Sequence, residues 1–297
     1  MDIQEQSFDT GVVTLNYAEG SVAGSSLVLL HGGNARWQFF WEIIPGLSEK
    51  WHLYIPDLRG QGKSGRVPGR YRLQDYTDDT ISFLQKCVRE PAHLFGVSLG
   101  GIVALMVAAQ APDLVRSVVV GDSPLTSKTW LAALDRTRDR LASWRELSGG
   151  TLSIPEIIER LKDAPVEVPH QAIPIPMREA FGEDSPHYPW LADNLYQTDP
   201  DFFAALLEEP ESTAEGYEIE TLFPAIQCPV LLLQADPESG GALTDAEVAR
   251  SLQLLARPRH VRFEGISHML FNEPHGKEPV LQAVSEFLVS VEEHPRG

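Results

Sequence analysis

Two stretches of this chain hold residue types at spacings that do nucleophilic chemistry. GVSLG, residues 96–100, is a G-x-S-x-G pattern. The apolar run AHLFGV enters it and LGGIVALMVAA leaves it. That placement predicts a strand turning sharply into a helix, with Ser98 held in a strained conformation at the C-terminal edge of a sheet. Gly96 and Gly100 have no side chains, so strand and helix can approach closely. The Leu99 amide, at the helix N-terminus, points at the same spot. A serine hydroxyl is a poor nucleophile alone and needs a base oriented by an acid. EGISHMLFNEP, residues 264–274, follows VRFE, which reads as a strand, and supplies His268 as that base. Of nine histidines, His268 alone sits between a buried strand and the last helix. His93, His170, His187 and His294 read as surface or insertion residues, and His275 lies too far along.

A third stretch imitates a different chemistry. PDLRGQGKSG, residues 56–65, carries Gly60, Gly62 and Gly65 in a G-x-G-x-x-G spacing, and GKS resembles the tail of a P-loop. A dinucleotide turn needs a helix starting at its third glycine, because the pyrophosphate sits on the helix N-terminus. Here RVPGRYR follows Gly65, and Pro68 and Gly69 punctuate a loop. A P-loop needs a glycine where this chain has Asp57. Both nucleotide readings fail, and the glycines read as a tight loop leaving a strand end.

The elements that must position Ser98 and His268 alternate along the chain. VVTLNY (12–17), SLVLLHGG (26–33), HLYIPDL (52–58), AHLFGVS (92–98) and VRSVVVGD (115–122) read as strands. Helices are expected at 37–47, 73–88 and 99–110. Apolar strands without polar alternation, separated by helices, mean a parallel sheet covered on both faces. Residues 124 to about 222 give helices and loops without a convincing strand, with one helix over 127–144. The alternation resumes with CPVLLLQAD (228–236), a helix from Thr244, the strand HVRFE (260–264) and a helix from Lys277. The expected division is therefore a sheet domain over 1–123 and 223–297, with 124–222 inserted above it.

Composition narrows the partners. The 297 residues carry 42 acidic and 24 basic side chains, a net charge of −18. Such a surface repels polyanions, so neither nucleic acid nor anionic membrane is an expected partner. The two cysteines, Cys87 and Cys228, form no CxxC pair, so no zinc site of that type exists. No apolar run approaches the ~20 residues that span a bilayer, and the acidic, polar N-terminal stretch does not read as a signal peptide. A cytoplasmic location follows as the default. Composition sets no oligomeric state.

Taken together, His31-Gly32-Gly33, PDLRGQGKS, GVSLGG (96–101) and GISH (265–268) resemble the α/β-hydrolase superfamily over nearly the whole chain. The resemblance implies a doubly wound, mostly parallel, eight-stranded α/β sheet with an inserted helical cap. It implies that PDLRGQGKS is a structural loop bordering the site. It also implies an oxyanion hole from the N–H groups of Gly33 and Leu99. Relatives of this layout that open epoxides or remove halides carry aspartate at the elbow, which disfavours those reactions here.

The resemblance offers two places for the acid. Asp122, in VVVGDSPL, ends the sixth strand. After the seventh strand the usual G-x-x-D is altered: in VLLLQADPESGG, Ala235 falls on the glycine and Glu238 on the aspartate, with Asp236 two positions early. Asp122 is favoured, with Asp236 and Glu238 as alternatives. Serine, histidine and an oxyanion hole suit acyl transfer to water, so the expected activity is hydrolysis of an ester or lactone, without metal or cofactor. A carbon–carbon bond hydrolase, a perhydrolase or haloperoxidase-like enzyme, and a non-catalytic binding protein remain alternatives. The segment 124–222 holds Trp130, Trp144, Phe181, Tyr188, Trp190, Tyr196, Phe202 and Phe203, some of which are expected to roof an apolar pocket. Trp37, Trp190 and Met269 are the pocket candidates, for a mostly apolar small molecule.

Overall fold

The computed structural model describes residues 3–20, 24–168, 171, 173–273 and 275–294. The chain begins with β1 (Ile3–Asp9) and β2 (Thr14–Gly20), followed by β3 (Ser26–Leu30), α1 (Ile44–Leu47), β4 (His52–Pro56), α2 (Leu73–Phe83), β5 (Ala92–Val97), α3 (Leu99–Gln110) and β6 (Val115–Gly121). It then leaves the sheet for α4 (Ser127–Arg136), α5 (Arg138–Leu147), α6 (Ile154–Asp163), a small hairpin β7 (Pro165–Val166) and β8 (Ile175–Pro176), α7 (Met177–Phe181), α8 (His187–Gln197), α9 (Pro200–Glu208), α10 (Pro210–Thr213) and α11 (Ile219–Leu222). It returns through β9 (Val230–Gln234), α12 (Asp245–Leu254), β10 (Pro258–Arg262) and α13 (Lys277–Glu293).

Eight strands form one sheet in the order β1-β2-β4-β3-β5-β6-β9-β10. Only β2 opposes its neighbours; every other pairing is parallel. The absence of polar alternation in the central strands has a direct cause. In β3, Val28 and Leu30 join the core on one face while Leu27 and Leu29 join the core on the other. In β6, Val118 and Val120 face the first core and Val119 the second. Both faces are covered by helices, so both sets must be apolar.

Five local readings differ from the structure. The strand β1 forms without any apolar run, because it is an edge strand whose side chains are mostly exposed. The expected helix over 37–47 breaks into a 3-10 turn, Trp37–Phe40, and the short α1 with Pro45 in its first turn. Proline has no N–H and its ring clashes with the preceding turn, so no helix continues through it. The expected helix over 127–144 is two helices, parted at Thr137, whose hydroxyl bonds back to the Ala133 carbonyl at 2.8 Å. Such back-bonding bends helices. The last strand runs over 258–262 rather than 260–264. The inserted segment also holds the β7–β8 hairpin, too short to leave a sequence pattern.

The glycine-rich loop after β4 is held by its own side chains. Asp57 accepts from the Asn16 side chain at 2.8 Å and from the N–H groups of Trp37 at 2.7 Å and Lys63 at 3.0 Å. Gly60 and Gly62 have φ of 69° and 56°, a left-handed conformation that glycine adopts without steric cost. Buried Arg59 pairs with Asp79 at 2.6 Å. The Gly60 carbonyl accepts the Asp199 N–H at 2.7 Å, which ties the inserted helices to the loop. Among the described residues, no helix is long and apolar enough to cross a membrane, and both cysteines are free.

Candidate active site

Ser98 occupies the turn between β5 and α3 with φ 54° and ψ −118°, outside the regions that L-residues favour. The glycines around it are steric necessities. A Cβ on Gly96 would collide with the Gly100 carbonyl, and one on Gly100 with the Leu30 carbonyl of β3. This close approach presses the start of α3 against β3 and β5. The Leu99 N–H, first in the helix, lacks an intrahelical partner. Among the described residues, neither it nor the Gly33 N–H donates to a protein acceptor.

The loop bearing Gly33 is fixed from below by His31. Its Nδ1 lies 2.7 Å from the Gly32 carbonyl, and its Nε2 accepts the Leu58 N–H at 2.9 Å. One nitrogen must donate and the other accept, so the ring is the neutral Nδ1–H tautomer. Burial pushes its pKa down against the pull of Asp57 and the Gly32 carbonyl.

Asp122 follows β6 with φ 42° and is fully buried. Its Oδ2 lies 2.6 Å from His268 Nδ1 and accepts the Ala242 N–H at 2.7 Å. Its Oδ1 accepts the N–H groups of Ala235 at 3.1 Å and Leu243 at 3.2 Å. Burial alone would raise this carboxyl; the His268 hydrogen bond and charge, with the amides of Ala242 and Leu243, outweigh it and hold the pKa below the ordinary carboxylate value.

The alternative acids are placed differently. Asp236 accepts the Gly265 N–H at 2.8 Å and the Glu238 N–H at 3.0 Å, and its own N–H donates to the Ile266 carbonyl at 2.8 Å. It clamps the loop that carries His268 without bonding the imidazole. Those backbone amides hold its carboxyl below the usual value. Glu238 is exposed, and among the described residues its carboxylate accepts no hydrogen bond.

Ser98, Leu99, Gly33, His268 and Met269 share the wall of one cavity of about 690 Å³. The inserted helices close it with Trp130, Trp144, Trp190, Phe202 and Phe203. Of the remaining aromatic side chains there, Tyr188 is core, while Phe181 and Tyr196 are largely exposed. Ser98 Oγ makes no hydrogen bond to another described residue; such contacts often tighten only when substrate arrives.

Three expectations need correction or restriction. Trp37 does not line the cavity: its indole N–H donates to Glu5 Oε1 at 2.7 Å, which turns the ring toward the sheet edge. His93 is not a surface residue but fully buried on β5, with Nδ1 2.7 Å from Ser117 Oγ. His170 lies outside the described residues.

The sequence reading missed the polar side of the cavity, where Arg136, Thr137, Arg140, Glu167 and Gln171 stand. A signal existed for part of it. Thr137, Arg140 and Trp144 recur at the three- and four-residue spacing that puts side chains on one helical face. Glu167 comes from a separate segment and has no such signal.

Residues 26–158 match a family model described as the alpha/beta hydrolase fold. A Mesorhizobium japonicum protein named 2-(acetamidomethylene)succinate hydrolase is 34% identical over 128 residues, 43% of this chain and 46% of that protein. The matched segment thus spans less than half of this relative's length. Among solved structures, E-2-(acetamidomethylene)succinate hydrolase superposes with a TM-score of 0.71 at 22% identity, covering 97% of this chain and 99% of the other. The carboxylesterase CesB of Bacillus subtilis gives a TM-score of 0.70 at 20% identity, covering 97% and 92%. At these identities the superpositions speak for the fold.

Proposed function

We propose, for a chain that belongs to the α/β-hydrolase superfamily, that this protein is a serine hydrolase cleaving a carboxylic ester or lactone through an acyl-enzyme. The observation that carries the reading is the 2.6 Å contact of His268 Nδ1 with Asp122 Oδ2 beside the cavity that Ser98 also lines. With Nδ1 held by the carboxylate, Nε2 is the nitrogen left to act as base. Ser98 Oγ attacks the substrate carbonyl carbon while Nε2 takes its proton, and the C=O electron pair moves onto oxygen. The amides of Gly33 and Leu99 receive that oxyanion, each donor worth ~3 kcal/mol. Collapse breaks the C–O bond, and the leaving oxygen takes the proton from Nε2. Water then repeats the sequence against the acyl group and frees Ser98.

Residues 124–222 act in this reading as a cap that closes the cavity and excludes water, above a core of 1–123 and 223–297. The Mesorhizobium relative's name favours a second reading, in which the same residues hydrolyse a substrate that is not a simple ester.

The test is hydrolysis of a p-nitrophenyl ester series of rising acyl length by wild type and Ser98→Ala. Turnover by wild type and none by the variant supports the proposal. No wild-type turnover on any member overturns the ester reading and moves the choice to the second.

A further inference from the structure

The cavity has a cationic side that acyl hydrolysis does not use. Arg140 of α5 lies with its guanidinium carbon 4.9 Å from the centroid of the Trp144 ring, and its Nε 3.1 Å from Glu167 Oε2. Arg136, one turn earlier at the end of α4, lines the same cavity and forms no ion pair among the described residues. Glu167 is thus paired with Arg140 alone, while Arg136 stands exposed at the cavity wall. The Arg140 Nε and both Glu167 oxygens are buried, and the 3.1 Å ion pair lacks hydrogen-bond geometry, so none of the three is hydrogen-bonded among the described residues. The Arg140 side chain keeps 27% of its surface, against a cavity wall. A chain of net charge −18 has placed two guanidinium groups on the wall of a mostly apolar cavity. The other acidic residue of that wall, Glu238, belongs to the exposed loop after β9.

Resting on the serine-hydrolase reading, we propose that this side of the cavity binds a carboxylate on the non-reacting part of the substrate, with Arg140 as the specificity-determining residue and Arg136 as the second cation. A planar guanidinium braced by an indole face and a carboxylate is preorganised, and its remaining N–H groups match a carboxylate in two-point geometry. The incoming charge also balances a group now disfavoured: burial pushes the Arg140 pKa down, Glu167 pulls it up, and Arg136 pushes it down again. Arg136, exposed on the same wall, adds a second positive charge within the cavity. Glu167 limits the preference, because it already neutralises part of Arg140.

The test separates binding from turnover by using Ser98→Ala and calorimetry. The probes are monomethyl esters of the linear C4 to C8 dicarboxylic acids and their neutral dimethyl counterparts. The half-ester of at least one length is expected to bind roughly tenfold to a hundredfold tighter than its diester, the worth of a charge-assisted hydrogen bond. Adding Arg140→Gln should abolish that advantage. Adding Glu167→Gln should preserve or enlarge it, whereas a merely structural pair would lose binding in both variants. Equal binding of half-ester and diester at every length, or an advantage that survives Arg140→Gln, overturns the proposal. Binding preference without wild-type turnover of the same half-esters would sink the ester reading and leave this one standing.

Discussion

His268 Nδ1 and Asp122 Oδ2 stand 2.6 Å apart although 146 residues separate them in sequence. The contact forms because β6 delivers Asp122 to the edge of the sheet and the loop after β10 returns His268 to the same edge. Asp122→Asn should therefore lower kcat by about 10⁴-fold, since the amide holds the imidazole in the wrong tautomer. Asp236→Asn should act mainly on stability, through the loop at Gly265, and Glu238→Gln should do little. Kinetics of the three variants on one ester decide the matter. Near-full activity in Asp122→Asn would mean that the acid is elsewhere.

The same carboxyl makes a pH-dependent contribution to stability. Its folded-state pKa lies below the ordinary 3.8, so the folded protein binds fewer protons there than the unfolded chain. The stabilisation is fully present above 3.8 and is lost as pH falls toward the folded value. Urea unfolding of wild type and Asp122→Asn should show a stability difference that shrinks as pH drops through that window. A difference constant from neutral pH down to the acid limit would contradict the linkage.

Ser98 and its turn were legible because their signal is local: two glycines, a strand before and a helix after. His268 was legible from chain order. Asp122 was favoured over Asp236 and Glu238 but not separated from them, since what distinguishes the three is which amides and which imidazole they meet. Trp37 was misplaced because adjacency to Gly33 in sequence says nothing about ring direction, which Glu5 of β1 sets through the indole while Asp57 of the loop after β4 holds the backbone N–H. The Arg140–Glu167 pair joins segments 27 residues apart, and no local pattern links them. Tyr71 donates to Asp199 across 128 residues, a tie between the sheet and the inserted helices that no local pattern encodes.

Gly100→Ala should destabilise the fold although alanine is the better helix former. Helix propensity favours the change by ~1 kcal/mol. The new Cβ would collide with the Leu30 carbonyl, a backbone atom of β3 that cannot swing away. Overpacking of this kind costs ~1–3 kcal/mol, and the rigid partner puts it at the upper end. The net effect should be a lower Tm in calorimetry, with poorer turnover because Ser98 and Leu99 shift with the helix. An unchanged or higher Tm would show that β3 and α3 are not locked at this point.

Phe202 should set acyl size. It lines the cavity, and its ring tip lies so near Gly33 that a Cβ there would meet Cζ at 3.2 Å. The ring thus stands beside one of the two proposed oxyanion donors, packed edge-on against Tyr71 and Phe203. Phe202→Ala removes that wall. Stability should fall by ~3–5 kcal/mol if the gap stays open. The optimum in the p-nitrophenyl ester series should move to longer or branched acyl groups, because each methylene in an apolar pocket is worth ~1–3 kcal/mol of discrimination. The ratio of kcat/KM for long against short esters reads this directly, and a ratio equal to that of wild type would place the acyl group elsewhere in the cavity, away from α9.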